Sequence, residues 1–226
     1  MQSPTIISLG GSLVVPDAID TAFISAFKKL IDTRVAEGQS FIIIVGGGKI
    51  ARRYQEGARA LGISGQNELD WVGIYATRLN AELLRVVFGD SAYSEIITDP
   101  SFLPNVKTPI AIGAGWKPGW STDFDSVEMA STVGAKRVIN LSNIDYAYDK
   151  DPREFPDAKK IEKTNWKEFR KILPAEWSPG VNAPFDPVAA KRAEELGLEV
   201  AIMNGKNLAN LEQYLSGGEF TGPVIQ

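Results

Sequence analysis

The sequence predicts an α/β fold in which a parallel or mostly parallel sheet carries helices on both faces. Short apolar, β-branched segments alternate with segments of helical periodicity along nearly the whole chain. Strands separated by helices need crossover connections, and these favour parallel pairing. No internal repeat and no long linker divides the 226 residues into separate domains. Ligands of such sheets bind beyond the carboxyl ends of the strands.

In the first half of the chain, apolar runs predict strands and periodic segments predict helices. Phe23, Phe27 and Leu30 recur at helical spacing, and Gly38 follows as a helix-terminating glycine. The predicted strands are Thr5–Leu9, Phe41–Val45 and residues 109–112, with a short one at 96–97, and the predicted helices are residues 19–35, 49–61 and 69–87.

The second half of the chain repeats this alternation. Thr122 or Asp123 is expected to cap one helix, and Asp186 followed by Pro187 to begin another. The predicted strands are residues 137–141 and 199–203 and an edge strand at 223–225, the predicted helices are a segment ending at 132, residues 165–173, a segment ending at 197 and Leu208–Leu215, and residues 144–160 form a loop.

Composition excludes several classes of function. The chain has no cysteine, no histidine and a net charge of −4 without a basic cluster. It therefore lacks a disulfide framework, Ser-His-Asp chemistry, a His-rich zinc site and a legible nucleic-acid-binding face. No apolar run approaches the ~20 residues of a membrane span, and no secretion signal is visible, so we expect a cytoplasmic protein without a membrane partner. Catalysis has to rest on positioning, Lys/Arg charge, carboxylates, backbone amides and Mg²⁺.

Two glycine-rich turns each follow a predicted strand directly. They are residues 10–12, Gly-Gly-Ser, and residues 46–49, Gly-Gly-Gly-Lys. Taken singly, each is best explained as a tight turn that needs positive φ. Two such turns at the same end of one sheet favour phosphate binding, because their backbone N–H groups and the following helices attract anions.

A third loop, residues 113–123, also follows a strand and opens a helix. Ser121 and Thr122 offer hydroxyls to a phosphate, and Lys117 offers charge. Asp123 is a carboxylate suited to orienting a cation, or simply a helix cap. Two tryptophans in this loop suggest stacking on a base or packing against a partner subunit.

Other candidates are weaker when taken alone. Arg52 follows the second glycine turn in the first turn of a helix, where a cation is unfavourable without an anionic ligand. Asp70 and Arg78 lie eight residues apart on one predicted helix, and Asp70 suits the hydroxyls of a ribose. The polar residues 140–145 with nearby Tyr148 suit an adenine and ribose, although such clusters usually form turns.

Six segments in order carry a resemblance to a known family. They are LGGSL at 9–13, VGGGKIAR at 45–52, GIYATRLNA at 73–81, KPGWSTD at 117–123, NIDYAYDKDP at 143–152 and FDPVAAK at 185–191. Across essentially its whole length the chain resembles the amino-acid-kinase superfamily, and within it the uridine monophosphate kinases shared by archaea and bacteria. The resemblance implies a three-layer αβα fold of one domain, with an acceptor-binding lobe of about 1–112 and an ATP-binding lobe of about 113–226. It also implies Mg²⁺-ATP as donor, UMP as acceptor and a homohexamer.

The resemblance also assigns roles to matching positions. The ATP phosphates fall to Gly11, Ser12, Gly48 and Arg52, the nucleoside part of ATP to Ser142, Tyr148 and Asp151, and the UMP to Gly47, Asp70 and the loop of Trp116, Lys117, Pro118, Gly119, Trp120, Ser121 and Thr122. Asp123 matches an acid that orients the catalytic cations, and Arg52 is the other catalytic candidate. No side chain is assigned as a metal ligand.

Three departures from the family pattern stand out. Ser8 replaces a lysine that stabilises the transferring phosphoryl group in many relatives. Tyr146 replaces a glycine, and residues 180–185 replace a serine-rich stretch. The absence of histidine disfavours the related isopentenyl phosphate kinases.

Two rival functions stay open. The same fold phosphorylates carboxylate or carbamate acceptors, although an amino-acid acceptor needs an extra cation for its α-carboxylate. A non-catalytic protein that binds nucleotides or oxoanions is the second rival, and Ser8 favours it slightly.

Overall fold

Apolar strands form the central layer of the fold. A computed structural model describes residues 3–150, 155–174 and 183–226. Within these ranges the strands are β1 Thr5–Leu9, β2 Phe41–Val45, β3 Ile110–Gly113, β4 Arg137–Ser142, β5 Ala147–Tyr148, β6 Lys160–Ile161, β7 Lys163–Thr164, β8 Glu199–Asn204 and β9 Val224–Ile225. Seven of these described strands form one sheet in the order β3-β2-β1-β4-β8-β9-β7. Only the β8–β9 pair in that sheet is antiparallel, so the predicted mostly parallel sheet is confirmed.

Helices connect most of these strands. In the described ranges they are α1 Gly11–Val14, α2 Thr21–Ala36, α3 Gly48–Ala60, α4 Gln66–Phe88, α5 Thr122–Val133, α6 Trp166–Phe169, α7 Pro187–Leu196 and α8 Leu208–Leu215. Short 3₁₀ turns lie at Gly89–Ser91, Pro100–Asn105 and Arg170–Ile172. None of the described helices combines the length and hydropathy needed to cross a bilayer.

The central strands are buried on both faces, which produces three layers. On one face, alternate residues such as Ile6 and Val200 pack with α5, α6 and α7. On the other face, Ile7 and Ala201 pack with α1, α2, α4 and α8. This is the αβα arrangement that the resemblance implies, and the long apolar runs reflect strands covered on both sides.

Most predicted elements are confirmed to within a few residues, but three predictions need correction. The cap of α5 is Ser121, whose Oγ accepts a hydrogen bond from the amide of Phe124 at 3.2 Å, rather than Thr122 or Asp123. The segment 223–225 contains β9, which lies between β8 and β7 and is not an edge strand. The predicted loop 144–160 also contributes the small antiparallel pair of β5 and β6.

The register of the sheet decides which turns meet. Leu9, the last residue of β1, pairs with Val45 of β2 and with Leu141 of β4. Ile44 of β2 pairs with Gly113, the last residue of β3. Because these strands are parallel, the segments that follow them all leave the sheet at one edge.

Candidate active site

The two glycine turns are in direct contact at this edge. A Cβ on Gly11 would lie 2.1 Å from the carbonyl oxygen of Gly46, so any side chain there would collide with the second turn. Gly48 has a φ of +60°, and a Cβ on it would lie 2.5 Å from the carbonyl carbon of Gly11. The expectation that positive φ explains these turns holds at Gly48 alone, whereas Gly11 is required by close approach.

The second turn leaves the start of α3 available to an anion. The N-cap is Gly47, and no side chain caps the helix. The first N–H groups of a helix lack intrahelical partners and carry the positive end of its dipole. This is the arrangement that binds phosphate groups at helix starts.

Three cations stand beside these turns. The ammonium of Lys49 and the guanidinium of Arg53 each lie 3.1 Å from the exposed carboxylate of Asp17. Arg52 Nη2 lies 3.4 Å from Ser12 Oγ. The predicted phosphate residues Gly11, Ser12, Gly48 and Arg52 are therefore brought together.

Asp123 lies in a polar cluster between β1, β4 and α7. Its Oδ1 accepts hydrogen bonds from Ser8 Oγ at 2.9 Å and from Asn140 Nδ2 at 2.7 Å. Its Oδ2 accepts one from the backbone N–H of Asp186 at 3.3 Å. Ser8 and Asn140 are register partners on neighbouring strands, which brings both side chains to the start of α5.

Burial raises the pKa of Asp123 to about 6, and the negative charge of Asp186 adds to this rise. The hydrogen bonds from Ser8, from the Asp186 amide and from Asn140 act in the opposite direction. Sequence reasoning missed that Ser8 and Asn140 hold Asp123. The available signal was a polar residue inside each of two otherwise apolar strands.

Helix α4 holds the loop that follows β3. Asp70 is buried, and its Oδ2 accepts from the Gly119 amide at 2.7 Å. Its Oδ1 accepts from Gln66 Nε2 at 2.7 Å. Both carboxylate oxygens of Asp70, the residue predicted to bind a ribose, therefore already accept hydrogen bonds from protein groups. Thr77 Oγ1 accepts from the Gly115 amide at 2.8 Å.

Arg78 and Asp125 hold the same loop at Trp116. The guanidinium of Arg78 donates to the carbonyl oxygens of Gly115 and Trp116, each at 3.3 Å. Asp125 Oδ2 accepts from the Trp116 amide at 3.2 Å. Asp125 is fully buried and its Oδ1 has no hydrogen-bond partner among the described residues. Burial is the main cause that raises the pKa of Asp125 to about 8.

The tryptophans of this loop pack on each other. The ring centres of Trp116 and Trp120 are 4.8 Å apart in an edge-to-face contact, and Trp120 makes a similar contact with Phe124 at 4.2 Å. The ammonium of Lys117 lies over both tryptophan rings. The remaining loop residues predicted to bind UMP, Pro118, Ser121 and Thr122, lie between these contacts and the start of α5.

The described residues predicted to bind the nucleoside part of ATP lie on separate elements, and no hydrogen bond links them. Ser142 ends β4, and its Oγ accepts from the Ile144 amide at 3.3 Å. Tyr148 lies on β5, opposite Lys160 of β6. Asp151 and residues 180–182 of the segment that departs from the family pattern lie outside the described residues.

A model of the amino acid kinase family matches residues 3–204. The chain belongs to the amino acid kinase family. It is 36% identical over 226 residues to the uridylate kinase of Methanospirillum hungatei, covering 98% of this chain and 94% of that protein. It is 33% identical to the uridylate kinase of Pyrococcus abyssi, covering 94% and 95%. The crystal structure of uridylate kinase from Archaeoglobus fulgidus has the same fold, with a TM-score of 0.84 at 31% identity, covering 99% of this chain and all of that one.

The acidic side chains at this edge of the sheet fit a cation that arrives bound to a nucleotide. Among the described residues, no group of three or more acidic side chains forms a metal cage. Mg²⁺ at kinase sites is held largely by substrate phosphates and water, with one or two carboxylates. Asp123 and Asp186 supply carboxylates at this edge, and their mutual repulsion favours a nearby cation.

Proposed function

We propose that this chain is a UMP kinase that transfers the γ-phosphate of ATP to UMP, giving UDP and ADP. The contact between the two glycine turns, at the sheet edge that also carries Asp123, supports this function most directly. That edge offers uncapped amides and cations for phosphates, and the chain is similar to uridylate kinases over nearly its full length. In this proposal the acceptor lobe spans about 1–112 and the ATP lobe about 113–226.

Little covalent chemistry is required of the protein, because positioning and charge stabilisation dominate phosphoryl transfer. A phosphate oxygen of UMP attacks the γ-phosphorus in line, and the bond from that phosphorus to the β,γ-bridging oxygen breaks to leave ADP. No general base is needed, because the attacking oxygen is already anionic. This suits a chain without histidine.

Each candidate residue has a role in this scheme. The ATP phosphates bind to Gly11, Ser12, Gly48 and Arg52, and the nucleoside of ATP to Ser142, Tyr148 and Asp151. UMP binds to Gly47, Asp70 and the loop from Trp116 to Thr122. Asp123 would orient a Mg²⁺ ion that arrives with the nucleotide, and that ion would supply positive charge to stabilise the transferring group. Ser8, at the position where many relatives carry a lysine, donates a hydrogen bond to the Asp123 carboxylate.

The test is ADP release from Mg²⁺-ATP with UMP, CMP, carbamate and acetylglutamate offered separately. We expect release with UMP. Release with only carbamate or acetylglutamate would keep the fold and the donor site but overturn the acceptor assignment. Measurable ATP binding without release from any acceptor would favour the non-catalytic binding protein.

We further propose that the chain forms a homohexamer and that α4 contributes to its contacts. Four large apolar side chains at spacings of four, four and seven residues lie on one face of this helix and are exposed by 37–64%. They are Trp71, Tyr75, Leu79 and Val86. A contiguous exposed apolar face of this kind is typical of an interaction surface.

Leu79→Glu is expected to shift the protein to a smaller assembly, because it buries a charge in that surface. Light scattering coupled to gel filtration measures the mass. Lys29→Glu, a charge change at an exposed site on α2, is the matched control and should leave the mass unchanged. Equal masses for all three proteins would remove α4 from the interface.

A further inference from the structure

The ammonium of Lys117 lies against the rings of Trp116 and Trp120. Its Nζ lies 4.3 Å from the centre of the Trp116 ring and 4.1 Å from that of Trp120. The two ring planes meet at 84°, so the ammonium sits in the corner between two nearly perpendicular rings. Contact of a cation with aromatic faces at this range is attractive.

Protein contacts hold the loop that carries the two tryptophans, whereas the Lys117 ammonium between their rings is free to move. Asp125 holds the Trp116 amide, Asp70 holds the Gly119 amide, and Trp120 packs on Phe124. Lys117 is exposed, and the described residues offer it no ion pair. The ammonium can therefore leave without disturbing the loop backbone.

We propose that Lys117 exchanges partners when UMP binds: the uracil ring takes the tryptophan surface, and the ammonium moves to the UMP phosphate. This proposal rests on the proposed function. An exposed cation–π contact contributes roughly two- to fivefold to an equilibrium constant, whereas stacking of a base on an aromatic ring contributes roughly five- to 150-fold. The exchange is favourable, because stacking outweighs the contact that is lost and the ammonium gains an anionic partner.

This exchange makes Lys117 a residue that selects for phosphorylated nucleosides. A nucleoside without phosphate must displace the ammonium from the rings and offers it no anion in return. UMP displaces the same ammonium and then binds it. The aromatic corner thus penalises uridine and favours UMP, although both carry the same base.

Calorimetric titration of the full chain with UMP and, separately, with uridine tests the exchange. Lys117→Ala empties the corner and removes the charge. We expect it to weaken UMP binding about tenfold and to strengthen uridine binding about two- to fivefold. Lys117→Met keeps an occupant on the rings but removes the charge. UMP binding should therefore weaken about two- to fivefold more than in Lys117→Ala, while uridine binds as in the wild type.

Lys136→Ala, at an exposed site before β4, is the control and should leave both affinities unchanged. Equal changes for both ligands in Lys117→Ala, or no change for either, would overturn the exchange while leaving the proposed function intact. A wild-type protein that leaves UMP unphosphorylated would overturn the proposed function and the exchange with it.

Discussion

Asp123→Asn lowers kcat for UMP phosphorylation by about 100-fold or more, the size of effect seen when one preorganised electrostatic group is removed from an active site. The substitution keeps the shape of the side chain but removes the charge that we propose orients the cation. ATP affinity should change by less than about threefold, because the proposed contacts to the nucleotide come mostly from other groups. Steady-state kinetics and calorimetric titration measure the two quantities. A variant with unchanged kcat would remove Asp123 from the mechanism.

The pH profile gives an independent check on Asp123. Its pKa is raised to about 6, so the carboxylate is charged above that pH and kcat should fall as the pH drops below it. UMP itself titrates in the same range, so the acid limb of the wild type combines both titrations. Ser8→Ala removes a hydrogen bond that lowers the pKa of Asp123, so the acid limb should move to higher pH. Titration of the substrate cannot produce that movement.

Asp125→Asn is expected to stabilise the protein progressively as the pH rises. The carboxyl of Asp125 has a pKa of about 8 in the folded chain and 3.8 as the ordinary value. Between these values the folded state keeps a proton that the unfolded state has lost. The contribution of Asp125 to the free energy of unfolding is therefore largest below the lower pKa. It falls as the pH rises to about 8, by at most about 1.4 kcal/mol per pH unit. Asparagine has no such titration.

Thermal unfolding at several pH values measures this effect. The Tm difference between Asp125→Asn and the wild type should grow by about 5 °C or more from pH 4.5 to pH 8, since 1 kcal/mol corresponds to roughly 2–4 °C in a chain of this size. The missing hydrogen bond at Oδ1 lowers the stability of both proteins at every pH, so it cancels in the Tm difference between them. Asp90→Asn, at an exposed acid, is the matched control. Parallel Tm curves for the variant and the wild type would contradict the prediction.

Much of the fold follows from local signals in the sequence. The β-branched runs of β1 and β2 and the helical spacing of α2 are visible without any structure. The start of α7 is visible as well, because Asp186 accepts from the Ala189 amide as an N-cap should. These features depend on residues a few positions apart, so a linear sequence contains them.

The candidate site was only partly predictable for the same reason. The glycine turns and the loop after β3 are marked by composition, and the sheet brings them to one edge. The partners of Asp123 are 115 positions away at Ser8 and 17 at Asn140, and only the register of β1 against β4 aligns them. Asp70 and Asp125 look like ordinary helix acids in the sequence, yet packing against the loop buries both.

By itself, then, the sequence determined the alternation of strands and helices, the two glycine turns and the family to which the chain belongs. The tertiary structure alone decided that β9 lies inside the sheet, that Ser121 caps α5 while Asp123 faces two strands, and that Lys117 rests on two tryptophans. The physical reason is that hydrogen-bond periodicity and turn chemistry are local, whereas burial, strand order and the partners of a charged group depend on contacts between distant segments.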